Sequence, residues 1–171
     1  RSKNFFLEAW HMENPQEDLY REVIMDHFKN PRNKGLLPEP QIKVKGVNPF
    51  CGDELELTLD IKDGRVVAVG IETQGCAISK ASSSMMAEVL TGKPAQVLTD
   101  WVAFLKTKLV DGSADAWPAE LEELKAIEGV RNYAARVKCA LLPWNTLVEG
   151  LQEFAAQKGG KVTLTHTEEA S

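Results

Sequence analysis

The sequence predicts an α+β fold: a small antiparallel sheet of about three strands packed against several helices. Three observations predict it. Leu55, Leu57, Leu59 and Ile61 alternate with Glu54, Glu56, Thr58 and Asp60, the period of a strand with one face on a core. Asp63-Gly64 supplies the positive φ values of a tight hairpin, and Val67, Val69 and Ile71 carry the return strand. Helical patterns dominate after that hairpin, so strands and helices are segregated along the chain.

In chain order, Asp18 caps a first helix over about 19–28, with Leu19, Val23, Ile24, His27 and Phe28 near helical spacing. Asn30-Pro31-Arg32-Asn33-Lys34-Gly35 ends it, and Pro38 and Pro40 keep the chain extended. An edge strand over about 41–47 precedes the hairpin. A helix over 77–90 is rich in small residues (Ala77, Ser79, Ala81, Ser82, Ser83, Ser84 and Ala87) and breaks at Thr91-Gly92-Lys93-Pro94. A third helix covers about 95–109. Pro118 opens a short one reaching about Ile127. Residues 129–138 carry no clear period. The last helix is expected to start at Cys139, with Leu142, Leu147, Leu151 and Phe154 as core anchors. The expected organisation is a leader at residues 1–11 left from expression, with Met12 as natural start, one domain over 12–158, and a flexible tail over 159–171.

Length and charge limit the function. At 171 residues the chain builds one domain with a full core. Its net charge of −5 disfavours sequence-independent nucleic-acid binding, which needs a basic surface. No apolar run reaches the roughly 20 residues of a membrane span. Three cysteines, an odd and low number, do not suit a disulfide-stapled secreted domain, and a reducing cytoplasm is the expected setting.

All three cysteines stand at expected element boundaries. Cys51, in Asn48-Pro49-Phe50-Cys51-Gly52-Asp53, precedes one hairpin strand, and Cys76 follows its partner. The hairpin brings both to one end of the sheet. Asp53, two residues from Cys51, points to the same side of an extended chain. Cys76 and Cys139 stand at expected helix starts, where free N–H groups and the helix dipole favour a thiolate. Three thiolates and one carboxylate make a four-ligand set suited to Zn²⁺, Cu(I) or iron–sulfur species. Against this stand the frequency of cysteine as a small buried hydrophobe and the absence of any C-x-x-C pair. A Cys51–Cys76 disulfide fits the same proximity but not a reducing compartment.

Other residues have two readings each. Arg136 and Lys138 either pair with thiolates or steer an anion, or are solvated charges. His27 is a packed or capping histidine, or part of a docking face with Tyr20 and Arg21. Ser79 and Ser82 to Ser84 have no neighbouring histidine in sequence and read as helix packing. Glu120, Glu122 and Glu123 read as a solvated face. Trp101, Trp117 and Trp144 read as core or partner contacts.

Four segments resemble the U-type iron–sulfur cluster assembly scaffolds. They are Asn48-Pro49-Phe50-Cys51-Gly52-Asp53; Gly75-Cys76-Ala77-Ile78-Ser79 with Ala81-Ser82-Ser83-Ser84-Met85-Met86; Arg136-Val137-Lys138-Cys139-Ala140; and Leu19-Tyr20-Arg21 through Ile24-Met25-Asp26-His27 with Asn30-Pro31-Arg32-Asn33-Lys34-Gly35. Lys138 stands where the IscU branch has His, and the stretch from Pro94 to Arg131 is long, so the chain resembles the SufU branch. The resemblance implies a zinc site of Cys51, Asp53, Cys76 and Cys139 and a cysteine desulfurase partner of the SufS type. One feature departs from a helix start at Cys139. Pro143, four residues later, has no N–H to give the Cys139 carbonyl, so the first turn there must be distorted or begin later.

Three functions follow as expectations. The first is a zinc-dependent sulfurtransferase that takes persulfide sulfur on Cys51, whose loop has more backbone freedom than a helix start. The second is a non-enzymatic scaffold on which a transient iron–sulfur cluster is assembled and passed to downstream assembly proteins or apo-acceptors. The third is a structural zinc module, disfavoured because Asp is a weak ligand for a permanently closed site.

Overall fold

Four strands form one sheet in the order β3-β2-β1-β4. The structure, a computed structural model, describes residues 15–169; residues 1–11, expected to be a leader, lie outside them. β1 (Ile42–Asn48), β2 (Asp53–Lys62) and β3 (Arg65–Gln74) form an antiparallel meander, and β4 (Val162–Thr167) runs parallel to β1. α1 (Pro15–Lys29) precedes the sheet. After it come α2 (Ala77–Leu90), α3 (Ala95–Leu109), a 3₁₀ segment (Ala119–Asn132) and α4 (Ala134–Ala156).

The α+β expectation holds, and the hairpin forms as expected. Asp63 and Gly64 take φ values of 52° and 73°, the left-handed pair that matches strand twist. Leu55, Leu57 and Leu59 of β2 are buried with Ile42 and Val44 of β1 and Val69 and Ile71 of β3. Helices α2 and α4 cover this apolar face. The opposite face is not wholly wet. The 33–37 segment folds over it, where the Leu37 N–H donates to Thr58 Oγ1 at 3.0 Å and that hydroxyl donates to the Gly70 carbonyl at 2.7 Å. Thr58 is therefore buried although it lies on the polar side of the alternation.

Two expectations are corrected. The tail is not loose throughout: β4 adds a fourth strand and makes the sheet mixed. Val162 and Leu164 point inward while Thr163 and Thr165 face out. Asn145 on α4 and His166, set between the Glu149 and Glu168 carboxylates, fasten its end. The Glu168 carboxylate, with Glu149, holds the His166 imidazolium above the usual histidine range. Second, the last helix starts at Ala134, not at Cys139. The Arg136 and Val137 N–H groups already bond the Tyr133 carbonyl, at 2.9 and 3.1 Å. Pro143 then sits inside the helix, and the carbonyl it leaves without a helical donor is that of Cys139.

α4 rests directly on β1 because two positions carry no side chain. A Cβ at Gly46 would lie 2.2 Å from Thr146 Oγ1, and one at Gly150 would lie 2.6 Å from Val44 Cγ2. This contact sets how deeply α4, and with it Cys139, approaches the sheet. Gly46→Ala should therefore destabilise the fold by about 1–3 kcal/mol through overpacking. Adding Thr146→Ala should recover a large part of that loss. Urea unfolding of the four members of this double-mutant cycle measures it, and strictly additive losses would show that the two positions do not compete for space.

Candidate metal centre

The end of the sheet where β1 turns into β2 gathers all three cysteines. Cys51 lies in the turn between them. Asn48 shapes that turn: its carbonyl accepts the Gly52 N–H at 2.9 Å and its Oδ1 accepts the Phe50 N–H at 3.0 Å. Gly52 has φ +75°, a conformation other residues rarely adopt. β2 and β3 pair so that Glu54 faces Gln74, which sets Asp53 beside Gly75 and Cys76. Cys76 is the N-cap of α2, and its sulfur accepts the Ser79 N–H at 3.5 Å. Cys139 arrives from α4, buried, five residues into the helix.

Asp53 ties these pieces together. Its Oδ1 accepts the Cys76 N–H at 2.9 Å, and its Oδ2 lies 3.6 Å from Cys76 Sγ. Gly75 is required beside it, because a Cβ there would stand 2.2 Å from Asp53 Oδ1. On the other side, Cys51 Sγ and Cys139 Sγ are 3.6 Å apart. Cys51, Asp53 and Cys139 each offer a donor atom within 4.8 Å of the other two, and Cys76 stands just outside that trio against Asp53. The four residues singled out in the sequence thus meet at one place.

Electrostatics divides the donors. Burial alone would raise the Asp53 carboxyl, but hydrogen bonds from Cys139, the Cys76 N–H, Cys51 and the Cys76 thiol outweigh it and hold Asp53 below the usual carboxylate range. Burial pushes the Cys139 thiol far up, with Asp53 and Cys51 adding to it. Burial of its sulfur also raises Cys51. The expected helix-dipole assistance at Cys139 is absent, since Cys139 is not at a helix N-terminus. Without a cation, Cys51 and Cys139 thus favour the neutral thiol beside an ionised Asp53. Negative charge at Cys76, and then at Cys139, would raise the Arg136 guanidinium. Lys138 does not face the thiols; its ammonium sits 5.5 Å from the Phe50 ring and donates to the Glu169 carbonyl.

The geometry suits a tetrahedral metal. Two sulfur ligands at about 2.3 Å on such a centre are about 3.8 Å apart, and a sulfur and an oxygen about 3.5 Å. The observed separations are 3.6 Å for both pairs. All three cysteines are free, and they differ in access: Cys51 exposed, Cys76 half-buried, Cys139 buried.

Elsewhere, Ser82 and Ser83 are buried packing residues, as expected, and Ser84 is buried with its hydroxyl against the His27 ring and accepting the Arg32 N–H. Ser82 Oγ donates to the Ala140 carbonyl at 2.6 Å and accepts the Trp144 indole N–H at 3.1 Å. Trp101 and Trp144 are core, and Trp117 packs edge-on against Phe104. Tyr20 packs partly against the core, and its hydroxyl accepts from Gln16. Glu123 is not simply solvated; it reaches His27. Two exposed aromatics, Phe50 and Tyr133, were not singled out. Phe50 adjoins Cys51, whereas Tyr133 is the N-cap of the helix that carries Cys139.

Comparison with known proteins shows the family. A model of the NifU-like N-terminal domain matches residues 19–140. The zinc-dependent sulfurtransferase SufU of Bacillus subtilis is 38% identical over 144 residues, covering 84% of this chain and 95% of that protein. The iron–sulfur cluster assembly scaffold protein IscU of Streptococcus pyogenes is 34% identical over 137 residues, 80% of this chain and 85% of that one. Among solved structures, the N-terminal NifU-like protein of Brucella abortus superposes with TM-score 0.77 at 26% identity, over 82% of this chain and 97% of that one. The SUF-system scaffold protein of Fervidobacterium islandicum superposes with TM-score 0.71 at 34% identity, over 76% and 94%. The matched segment and the shared fold together place this chain in the NifU-like N-terminal domain family of iron–sulfur cluster assembly proteins, within its IscU/SufU group and on the SufU side.

Proposed function

We propose that this protein accepts sulfur from a cysteine desulfurase on Cys51, from a site in which Cys51, Asp53, Cys76 and Cys139 hold zinc. The observation that carries the reading is the unequal exposure of the three thiols around one carboxylate. Cys51 sits in a glycine-containing turn open to a partner, whereas Cys76 is tied to a helix start and Cys139 is enclosed in a helix. Zinc, when bound, supplies positive charge that keeps its sulfur ligands deprotonated near neutral pH.

The chain's own residues then do the rest. The Cys51 thiolate attacks the outer sulfur of the partner's persulfide. A new S–S bond forms at Cys51, the partner's S–S bond breaks, and its electron pair leaves on the partner's cysteine as thiolate. Rate depends on thiolate fraction, nucleophilicity and access, and Cys51 has the access. Asp53, Cys76 and Cys139 remain as donors, and Arg136 balances part of their charge. The name of the 38% identical SufU relative supports this reading.

A second reading has support of its own. IscU relatives at 34% and 31% identity are named scaffolds, and the same three thiols and carboxylate would hold iron in a nascent cluster. In both readings the partners are a cysteine desulfurase and, downstream, assembly proteins or apo-acceptors.

Incubation with desulfurase and cysteine, followed by peptide mass spectrometry, tests the acceptor. A sulfane adduct of about +32 Da is expected on the Cys51 peptide, and Cys51→Ser should abolish stimulation of the desulfurase. An adduct confined to the peptides of Cys76 or Cys139 would place the acceptor elsewhere. Adding ferrous iron separates the readings, since a scaffold develops visible sulfur-to-iron absorption. Asp53→Ala should slow zinc exchange to a chelator and slow sulfur transfer, because a protonatable oxygen ligand is lost from the site that must open. Exchange and transfer at wild-type rates would remove Asp53 from the mechanism.

A further inference from the structure

β3 is an edge strand, and only part of its free edge is covered. Residues 33–35 pair with it in parallel at Ile71: the Ile71 N–H donates to the Asn33 carbonyl at 3.0 Å, and the Ile71 carbonyl accepts the Gly35 N–H at 3.1 Å. Asn33 Nδ2 donates to the Val69 carbonyl at 3.3 Å on the same side. Main-chain groups alternate sides along a strand, so those of Thr73 point the same way as those of Ile71 and Val69, away from β2. At Gly35, φ +106°, the chain turns off towards Leu37 and its bond to Thr58. Among the described residues nothing continues along the edge, and the N–H and C=O of Thr73 have no protein partner.

Beside this open edge lies a cavity of about 170 Å³, between β3, the end of α1 and α2. Lys29, Lys34 and Lys80 border it, and none of the three has an ion-pair partner among the described residues. Lys80 stands 5.3 Å from the centre of the Phe28 ring. The carboxylate bordering the cavity, that of Glu72, is exposed and belongs to the other face of β3. In a chain of net charge −5 this is a local excess of positive charge. Thr73 also borders a second cavity, of about 230 Å³, on the side of Glu54 and Gln74, so the edge is reached from both faces of the sheet. The uncommitted groups here are one main-chain donor–acceptor pair and three ammonium groups on one side of it.

We propose that the β3 edge at Thr73 is a docking site for an extended acidic segment of a partner protein, which adds a short strand in line with residues 33–35 and sets its carboxylates against Lys29, Lys34 and Lys80. A peptide supplies both the acceptor and the donor that Thr73 lacks, whereas a small anion answers only the N–H. The chain's own 33–35 segment already uses this pairing on the same edge. A second copy of this chain is disfavoured, since joining two such edges would bring two sets of three lysines together. The edge also leads to the chemistry. Cys76 follows Thr73 closely, and Lys80 lies one helical turn beyond, its N–H on the Cys76 carbonyl at 3.1 Å. A segment docked here therefore lies beside the thiol cluster. The site does not depend on whether those thiols take sulfur or hold a cluster.

The test uses the full chain loaded with zinc and labelled with ¹⁵N. The probe is a capped hexapeptide of alternating glutamate and threonine, in which threonine keeps like charge away from Glu72. In the free protein the Thr73 amide should exchange with solvent about tenfold faster than the Ile71 amide, or more. Millimolar peptide should shift the Thr73 amide resonance and slow its exchange. The double variant Lys34→Gln/Lys80→Gln should keep its zinc and its spectrum elsewhere and bind the peptide about tenfold more weakly. The same peptide with every amide N-methylated, and one with lysine in place of glutamate, should not bind. Thr73 protected like Ile71 in the free protein, or no response to the acidic peptide, would leave the lysines as a guard against edge pairing and overturn the proposal. Equal responses to the N-methylated peptide or to inorganic phosphate would make this a site for small anions. A Thr73 shift that follows protein concentration, with a dimer in sedimentation, would give the edge to a second copy. Either result would also overturn it.

Discussion

The site depends on one contact: the Asp53 carboxylate accepting the backbone N–H of Cys76 across the β2–β3 pair. That bond fixes where α2 begins relative to β2, and so where the Cys76 sulfur sits. It survives only because Gly75 has no Cβ to collide with the same oxygen. It also needs the hairpin register, since a one-residue slip would send Asp53 to the opposite face. The register is held by Leu55, Leu57 and Leu59, whose burial leaves β2 one way to face. Packing of leucines along the strand thus determines the position of a carboxylate at its start.

The third thiol comes by a different route. α4 is lowered onto β1 by Gly46 and Gly150, and Cys139 enters the site from inside the helix. There it has neither dipole assistance nor much solvent, and its thiol resists ionisation strongly. The proline at 143 belongs to the same arrangement, leaving the Cys139 carbonyl without a helical donor within the turn that carries its thiol. Cys51 differs on every count: exposed, in a turn, and followed by a left-handed glycine. One cluster therefore contains two anchored sulfurs and one accessible sulfur.

Much of this was legible in the sequence where the signal is local. The period of two in β2, the Asp63-Gly64 turn, the helix over 77–90 and the convergence of Cys51, Asp53 and Cys76 all follow from neighbours in the chain. What failed was long-range or weakly periodic. β4 is six residues with alternate threonines after two glycines, and its partner β1 lies more than a hundred residues earlier. The start of α4 was hidden because the preceding 3₁₀ segment has no 3.6-residue period, and Cys139 drew attention as a boundary when it is interior. Arg136 and Lys138 were indistinguishable in sequence; only the helix shows that Arg136 turns to the thiols and Lys138 to Phe50 and the tail. His27 is packed, one of its two expected readings, and its link to Glu123 joins residues 96 apart in the chain.

The central claim is that three sulfurs and one carboxylate oxygen converge on one metal. X-ray absorption at the zinc edge, on zinc-replete protein kept under reducing conditions, tests it most directly. The account predicts a first shell of three sulfurs near 2.3 Å and one oxygen near 2.0–2.2 Å, with the oxygen contribution altered in Asp53→Ala. A first shell without sulfur, or one unchanged when Asp53 is replaced, would contradict it.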